Sequence, residues 1–532
     1  MLSTLIWLPL VGALALGFAP GNFTSKWLRY GAIAIASLPL LWTLFLFTQF
    51  DLTQSGMQMA EYFSWIPTLG IHYSLATDGL SLPLVGLSNL LILLVVFGTD
   101  TGAISKEPLK RPRLFYALVL LIGAGMAGAL LAQNLLLFFL FYELELIPFY
   151  LLIVIWGGQK RDYAGIKFLI YTAVSGVLIL AAFLALVWLS GSGSFDYADI
   201  SLSELPQRTQ LILLTLLLVG FGIKIPLVPL HTWLPDAYVE ASTPTAILLG
   251  GVLAKLGTYG LTRFGIGLFP ETWSLVTPGV ALIAAICVMY GAMAAIAQKD
   301  IKRMVAYSSI GHMGYVMLGL AALTPLSMVG AVSQMVSHGF ILALLFYIVG
   351  VIETKVGTRE LDVLNGLLNP IRGLPLTSSL LVLAGMASAG IPGMVGFVSE
   401  FLVFQGSFPV FPLPTLLCVV GTGLTAVYFV IMLNRTCFGR LDAKTAYYPR
   451  VSLLEQLPAL GLTALIIWLG LQPSWLVRWS EPTTTAIVKR IPVERPLVAQ
   501  TVARGSLATV GSAQVISANG AIAPVLPVVS QN

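Results

Sequence analysis

The chain has 532 residues, of which 57% are hydrophobic and 10% are charged, with a mean hydropathy of +0.91 and a formal net charge of +5. Soluble globular proteins carry about 25% charged residues. The composition therefore excludes a soluble enzyme and indicates a protein that crosses a membrane many times. The small positive charge is explained by the loops described below and does not indicate a nucleic-acid partner.

Apolar runs of spanning length recur along the chain as far as residue 472. A spanning helix needs about 20 predominantly apolar residues, and fourteen segments come close to this length or exceed it. We predict an all-α polytopic membrane protein with these spans: 2–18, 28–48, 78–98, 114–132, 134–155, 165–189, 210–230, 243–265, 274–297, 304–322, 327–352, 373–405, 413–434 and 452–472.

The basic residues of the connecting loops are distributed unequally. The loops after even-numbered spans carry two, Arg208 and Arg263, whereas those after odd-numbered spans carry nineteen. Lysine and arginine are retained in cytoplasmic loops, so both termini should lie outside the cytoplasm. The nineteen are Lys26, Arg29, Lys106, Lys110, Arg111, Arg113, Lys160, Arg161, Lys167, Lys299, Lys302, Arg303, Lys355, Arg359, Arg372, Arg435, Arg440, Lys444 and Arg450.

Two spans contain helix breakers. The seventh has Pro226 and Pro229 after Gly222, and the twelfth has Pro392 between Gly390 and Gly393. Proline removes a backbone donor and clashes with the preceding turn, so both helices should break at membrane depth. Five spans separate the breaks, which predicts two five-helix repeats of inverted orientation, a layout typical of ion-translocating proteins.

We therefore divide the chain into five parts. Residues 1–112 hold the first three spans, 113–265 the first repeat, 266–436 the inverted repeat and 437–472 the last span. Residues 473–532 are rich in Pro, Ala, Val, Ser and Thr and predict an irregular tail on the outer face.

Four ionisable residues, Glu143, Lys224, Lys255 and Glu400, lie within predicted spans. A charge at the bilayer centre costs at least about 2.5 kcal/mol, so such residues usually line a polar path enclosed by protein. Lysine suits proton exchange because its pKa shifts readily on burial.

Several motifs resemble one family. The run HTWLPDA starts at His231, GVLAKLGTYG at Gly251, QKDIKRMVAYSSIGHMG at Gln298 and QMVSHG at Gln334. These runs are similar to the antiporter-like membrane subunits of respiratory complex I, also called NDH-1. Within that superfamily the chain is most similar to chain 4, the middle subunit, because Glu400 in GFVSEF stands where the sister subunits are expected to carry lysine.

The resemblance implies a proton path. Glu143 would pair with Lys224, Lys255 would be the central relay, and Glu400 would end the path. His231, His312 and His338 would be shuttles, although a buried histidine is as often a hydrogen-bonded core residue. Glu145 points away from Glu143 on a helix and receives no role. Asp236 and Glu240 would cap a loop or feed protons inward.

The function so implied is proton translocation in an NDH-1 type quinone oxidoreductase, a translocase. Quinone, expected to be plastoquinone, the iron–sulfur clusters and the electron donor would be bound by other subunits. This chain has no nucleotide or zinc motif, and Cys287, Cys418 and Cys437 are too scattered for a metal or redox site. Its partners would be other NDH-1 membrane subunits, including the sister antiporter-like ones, lipids and protons.

The expected location is a cyanobacterial thylakoid membrane, with both termini on the lumenal or periplasmic side. Two alternatives stay open. One is a subunit of a multisubunit cation/proton antiporter, which has the same fold and the same lysine and glutamate pair. The other is a structural spacer that does not conduct protons, in which Lys255 would have no function.

Overall fold

Long helices make up most of the computed structural model, which describes residues 1–20, 23–99, 102, 104, 108–441 and 448–491. Lys106, Lys444 and the predicted tail beyond Ile491 lie outside the described residues. The elements are α1 Ser3–Gly17, α2 Ser25–Gln49, β1 Gln58–Ile66, β2 Ile71–Thr77, α3 Ser81–Gly98, α4 Pro112–Leu131, α5 Leu135–Leu144, α6 Leu146–Trp156, α7 Arg161–Ser190, α8 Gln207–Lys224, α9 Trp233–Glu240, α10 Thr243–Leu248, α11 Ala254–Gly260, α12 Pro270–Ile296, α13 Ile301–Ala322, α14 Pro325–Val356, α15 Pro375–Ser388, α16 Val395–Ser407, α17 Pro412–Thr436, α18 Leu453–Leu471 and α19 Ser474–Lys489.

Within the described part of the chain, ten helical segments are long and apolar enough to cross a membrane. Four predicted spans are not among these ten segments: 2–18, 210–230, 304–322 and 373–405. The helices α1, α15 and α16 are short, α8 ends at a lysine, and α13 carries charged and polar side chains. Length alone therefore separates α1 from the ten spans, whereas polar residues or helix breaks separate the other three segments.

Both predicted breaks are present. The helix α8 ends at Lys224, two residues before Pro226, and the chain becomes helical again only at Trp233. The second break separates α15 from α16 and contains Gly390 at φ +68°. Residues other than glycine rarely adopt this conformation, so the glycine explains where the chain turns.

A third break, which the sequence analysis did not predict, divides the span 134–155 at Glu145. Pro148 lacks the N–H that would bond to the carbonyl of Leu144. The helix therefore stops at Leu144 and restarts at Leu146. This break fixes the orientation of Glu145 relative to the bundle.

Two helical segments are enclosed by the rest of the protein. Their spanning windows, in Thr243–Ile266 and Pro325–Val356, are completely buried. The windows of α3 and α4 are 72% and 83% buried, and those of the other spans are buried by half or less. The first segment contains two π-helical turns, Leu249–Leu253 and Leu261–Ile266, on either side of α11. Such turns are rare and occur frequently at functional sites.

The prediction of an all-α fold is wrong between α2 and α3. There β1 and β2 form an antiparallel hairpin that pairs Tyr62 with Ser74 and Ser64 with His72. The connecting turn contains Gly70 at φ +65°, and a Cβ there would lie 2.3 Å from the carbonyl oxygen of Gly193. A search for long apolar runs misses such strands, because their stability comes from cross-strand side-chain pairs.

The prediction of an irregular tail is wrong for its first part, because Ser474–Lys489 forms the helix α19. Its buried residues recur at helical spacing, as one amphipathic face requires. Trp479 packs against Phe47 and Phe50, with ring centroids 4.7 and 5.6 Å apart. A segment this polar could not be recognised as a span, yet it folds because this face packs on the bundle.

The loops gather at two ends of the bundle. One end, the hairpin face, carries β1 and β2, and there the backbone N–H of Phe195 donates to Gly70 O at 3.0 Å. At the other end, the basic face, Lys302 Nζ donates to Ala241 O at 2.6 Å and Arg359 donates to Val239 O at 3.2 Å. Three of the predicted cytoplasmic basic residues, Lys160, Lys299 and Arg359, lie in loops of this face.

Candidate functional site

Lys224 is the last residue of α8, and its ammonium group is buried at the break. Lys224 Nζ lies 2.8 Å from Glu145 Oε1, and the side chains are 4% and 0% exposed. Nζ also donates to Tyr142 O at 3.2 Å and lies 3.3 Å from the centroid of the Tyr142 ring. The lysine is therefore held by a carboxylate, a carbonyl and an aromatic face.

This geometry contradicts the expected pairing of Glu143 with Lys224. The acid in contact with Lys224 is Glu145, to which the sequence analysis gave no role. Glu143 is half-buried on the other side of α5, where its carboxylate lies so close to Gly176 that a Cβ there would be 2.3 Å from Oε1. Residues two apart on a helix face opposite sides, and the inward side belongs to Glu145.

Lys255 lies in α11, between the two π-helical turns. Its Nζ donates to Gly250 O at 2.5 Å and lies 2.7 Å from His338 Nδ1. Both residues belong to the enclosed helical segments, and Lys255 is 1% exposed. The ammonium group is thus placed for proton exchange with the imidazole.

His338, His312 and Glu400 continue from Lys255. The two imidazole rings lie 5.2 Å apart between centroids, and His312 Nδ1 lies 3.6 Å from Glu400 Oε1. His312 also contacts Ser388 Oγ at 2.9 Å and Gln334 Nε2 at 3.2 Å. We call the side chains of Lys255, His338, His312 and Glu400 the polar row.

The second helix break positions Glu400. Its Oε2 accepts a hydrogen bond from Thr422 Oγ1 at 3.3 Å, and Thr422 in turn lies 3.0 Å from Tyr315 OH. A Cβ at Gly390 would be 2.6 Å from this carboxylate oxygen, so the glycine of the break makes room for the acid. Glu400 is 3% exposed and ends the polar row inside the protein.

His231 is not in contact with the polar row. It lies within the break between α8 and α9, and its ring packs edge-on against Tyr290 at 4.7 Å between centroids. Its Nδ1 has no hydrogen-bond partner in the part of the chain that the structure describes. The predicted residues therefore fall into three groups: the Lys224 site with Glu143, His231, and the polar row.

The two acids expected to cap a loop or to feed protons are fixed at the basic face. Asp236 pairs with Lys167 at 2.8 Å and with Arg303 at 3.2 Å. Glu240 Oε2 accepts a hydrogen bond from the backbone N–H of Lys160 at 2.8 Å. These contacts favour the capping interpretation, because each carboxylate ties neighbouring elements together.

Sequence reasoning missed a second buried ion pair. Arg263 Nη2 lies 2.6 Å from Asp78 Oδ2, and the side chains are 6% and 2% exposed. Asp78 Oδ1 also accepts from the backbone N–H groups of Leu80 and Ser81, so this acid caps α3 as well. Both residues lie near the ends of predicted spans, and this position is the sequence signal that indicates the pair. The predicted topology instead places Arg263 in a loop.

The polar row brings together four groups that can each bind and release a proton. A neutral His338 accepts at Nδ1 the proton that Lys255 releases, and Glu400 lies within one further short transfer of His312. The four side chains are buried by the surrounding helices, so movement of a single charge changes the energy of the remaining groups strongly. Unit charges 4 Å apart interact by about 4 kcal/mol at an effective dielectric constant near 20.

Buried lysine, histidine and glutamate side chains beside helix breaks are typical of ion-translocating membrane subunits. The family described as NADH:quinone oxidoreductase/Mrp antiporter, TM, matches residues 132–425. The family described as NADH-ubiquinone oxidoreductase chain 4, amino terminus, matches residues 30–125. The chain is thus an integral, multi-pass membrane protein of the first family.

Curated relatives are similar along most of the chain. NAD(P)H-quinone oxidoreductase chain 4 1 of Synechococcus sp. (strain JA-3-3Ab) is 39% identical over 515 residues, covering 93% of this chain and 96% of the relative. Chain 4-2 of Synechocystis sp. (strain ATCC 27184 / PCC 6803 / Kazusa) is 40% identical over 446 residues, covering 82% and 78%. The chain belongs to the NAD(P)H-quinone oxidoreductase chain 4 family of antiporter-like membrane subunits.

Solved structures show the same fold. A chain of respiratory complex I from Thermus thermophilus with bound NADH has a TM-score of 0.83 and 28% identity, covering 93% of this chain and all of that one. A chain of the Mrp complex from Dietzia sp. DQ12-45-1b has a TM-score of 0.82, with 92% and 97% coverage. Its identity of 20% makes this a likeness of fold alone.

Proposed function

We propose that the chain is a proton-translocating membrane subunit of an NDH-1 type quinone oxidoreductase. The polar row is the observation that carries the proposal. Lys255 and His338, in the two enclosed helical segments, lie 2.7 Å apart, and His312 of α13 lies 3.6 Å from Glu400 of α16. The family membership supports the same function.

The residues have separate roles in this proposal. Lys224 and the nearby acids form a charged cluster. A signal from the rest of the complex changes the proton affinity of Lys224 in this cluster. Lys255 is the relay, His338 and His312 shuttle the proton, and Glu400 is the terminal loading site or the exit. Glu143 and His231 serve the Lys224 end, Glu143 as a half-buried acid and His231 within the break after α8.

The architecture proposed for this function has about fourteen spans in the five parts defined above. The breaks after Lys224 and after Ser388 occupy equivalent places in 113–265 and 266–436, which supports two inverted repeats. Discontinuous helices in inverted repeats surround ion sites in many transporters. The break at Glu145 is an additional feature of the first repeat.

Electron transfer takes place in other subunits. Quinone, the iron–sulfur clusters and the electron donor are bound there, and this chain converts the resulting conformational or electrostatic signal into proton movement. The cyanobacterial relatives favour plastoquinone and a thylakoid membrane. The partners are the other NDH-1 membrane subunits, including the sister antiporter-like ones, together with lipids and protons.

Purification of the tagged chain from its native membrane tests the class of complex. We expect other NDH-1 subunits to co-purify with it, and we expect the preparation to reduce quinone. A preparation that lacks quinone reductase activity and exchanges sodium for protons in vesicles would instead assign the chain to a multisubunit cation/proton antiporter. The fold it shares with a chain of the Mrp complex makes this the second candidate.

The orientation is tested with inserted protease sites. The basic face should lie in the cytoplasm, so a site beside Lys160 should be cut only from that side. Sites beside the exposed Gly56, on the hairpin face, and near Ala521, outside the described residues, should be cut only from the other side. Cutting of the Lys160 and Gly56 sites from one side would contradict the orientation.

A further inference from the structure

Gln334 is a buried amide beside the polar row, and the proposed proton path does not use it. It lies in α14, one turn before His338, and is 1% exposed. Its Nε2 lies 3.2 Å from His312 Nδ1. An amide nitrogen can only donate a hydrogen bond, so His312 Nδ1 is the acceptor in this contact.

Two hydroxyl groups face the other side of the Gln334 amide. Ser399 Oγ donates to Gln334 Oε1. Ser337 Oγ lies 3.2 Å from the same oxygen and 2.8 Å from Ser399 Oγ. Both serines are completely buried. The hydroxyl groups therefore hold the amide oxygen, and the amide nitrogen is directed at His312.

This contact determines where neutral His312 carries its hydrogen. In a neutral imidazole one ring nitrogen donates and the other accepts, and the hydrogen bond at one nitrogen sets the role of the other. Nδ1 accepts from Gln334, so the hydrogen is on Nε2. Ser388 Oγ lies 2.9 Å from Nε2 and can accept this hydrogen bond.

Nδ1 is also the nitrogen of His312 that faces Glu400. Glu400 Oε1 lies 3.6 Å from it and has no hydrogen-bond partner in the part of the chain that the structure describes. A proton that His338 gives to His312 must bind to Nδ1, because Nε2 already carries a hydrogen. The Gln334 N–H then loses its acceptor, and the new Nδ1–H can donate to Glu400 Oε1.

The opposite tautomer of His312 would block this transfer. Its hydrogen would be on Nδ1, where an ionised Glu400 would hold it with a charge-assisted hydrogen bond, which is stronger than a neutral one. Nδ1 could then accept no proton from His338. The free nitrogen would be Nε2, which faces Ser388 and not the polar row.

We propose that Gln334 is a positioning residue, which holds neutral His312 with its hydrogen on Nε2 and so keeps Nδ1 open for each arriving proton. In one transfer an N–H bond breaks at His338 and an N–H bond forms at His312 Nδ1. That bond then breaks as an O–H bond forms at Glu400. The inference rests on the proposed proton translocation and adds to it a residue to which the sequence analysis gave no role.

The test uses Gln334→Met in the intact complex. Methionine has a similar length but no N–H group. Infrared spectra of the complex with isotope-labelled histidine distinguish the two neutral tautomers, and the band that His312→Asn lacks identifies His312. We expect the Nε2–H tautomer in the parental protein and the Nδ1–H tautomer in Gln334→Met. The matched control is Gln456→Met, which removes another buried glutamine, bonded to Thr377 and outside the polar row.

Proton pumping is measured in the same preparations. We expect Gln334→Met to pump about 100-fold more slowly, which is the size of effect that a positioned proton-transfer group has. Gln456→Met should pump at the parental rate and keep the Nε2–H tautomer. The Nδ1–H tautomer in the parental protein, or parental pumping in Gln334→Met, would overturn the proposal.

A second variant covers failure of Gln334→Met to assemble. The double variant Ser337→Ala and Ser399→Ala keeps the glutamine but removes both hydroxyl groups from its oxygen. The amide is then free to rotate, so we expect both tautomers of His312 and slower pumping. An unchanged tautomer in the double variant would also contradict the proposal. If Gln334→Met pumps normally and Lys255→Met does not, the proposed function stands and only this inference fails.

Discussion

Replacement of Lys255 with methionine should abolish proton uptake coupled to quinone reduction. Methionine fills a similar volume but cannot hold a proton, so His338 would lose the partner that lies 2.7 Å from its Nδ1. A positioned proton-transfer group contributes about 100-fold or more, and we expect a loss of at least this size. The measurement is proton uptake in vesicles containing the intact complex, with assembly checked by subunit content.

Two further variants control this result. Lys255→Arg keeps the positive charge but does not release a proton near neutral pH, so we expect it to fail as well. Lys299→Met removes an exposed lysine whose side chain is 73% exposed, and we expect it to pump normally. Parental pumping by Lys255→Met would instead make the chain a structural spacer.

Changes at Glu400 should rank by their ability to bind a proton. Glu400→Gln keeps the size and a hydrogen bond with Thr422 but cannot ionise, so we expect severe loss of pumping. Glu400→Asp keeps the acid but lengthens the 3.6 Å separation from His312, so partial activity should remain. Glu400→Lys should retain more proton pumping than Glu400→Gln, because the sister subunits are expected to use lysine at this position.

The measured quantity is again proton uptake per electron, and Glu271→Gln serves as a control at an exposed acid. Full activity of Glu400→Gln would remove Glu400 from the path. The family membership would not change with this result, because it rests on similarity along most of the chain.

Features set by local chemistry were predictable from the sequence. Pro226 and Gly390 mark the two expected breaks, because proline and glycine act on their own backbone. Lys255 and Glu400 of the polar row were predictable because a charge in an apolar span is rare and usually functional, whereas His312 and His338 were indicated only by the family resemblance. Its contacts needed the fold, because they join α11, α13, α14 and α16.

Features set by tertiary contacts were not predictable. The hairpin and α19 are too polar to resemble spans, and each is stabilised by packing against other elements. The choice between Glu143 and Glu145 depends on how α5 is rotated about its axis. Spacing shows only that the two acids face opposite sides, and the structure shows that Glu145 faces Lys224.

Proton uptake per electron tests the central claim most directly. The measurement uses the intact complex in sealed vesicles, with the parental chain, Lys255→Met and Lys299→Met compared at equal subunit content. The account predicts that Lys299→Met matches the parental ratio and that Lys255→Met lowers it. An unchanged ratio in Lys255→Met would contradict proton transfer through this chain.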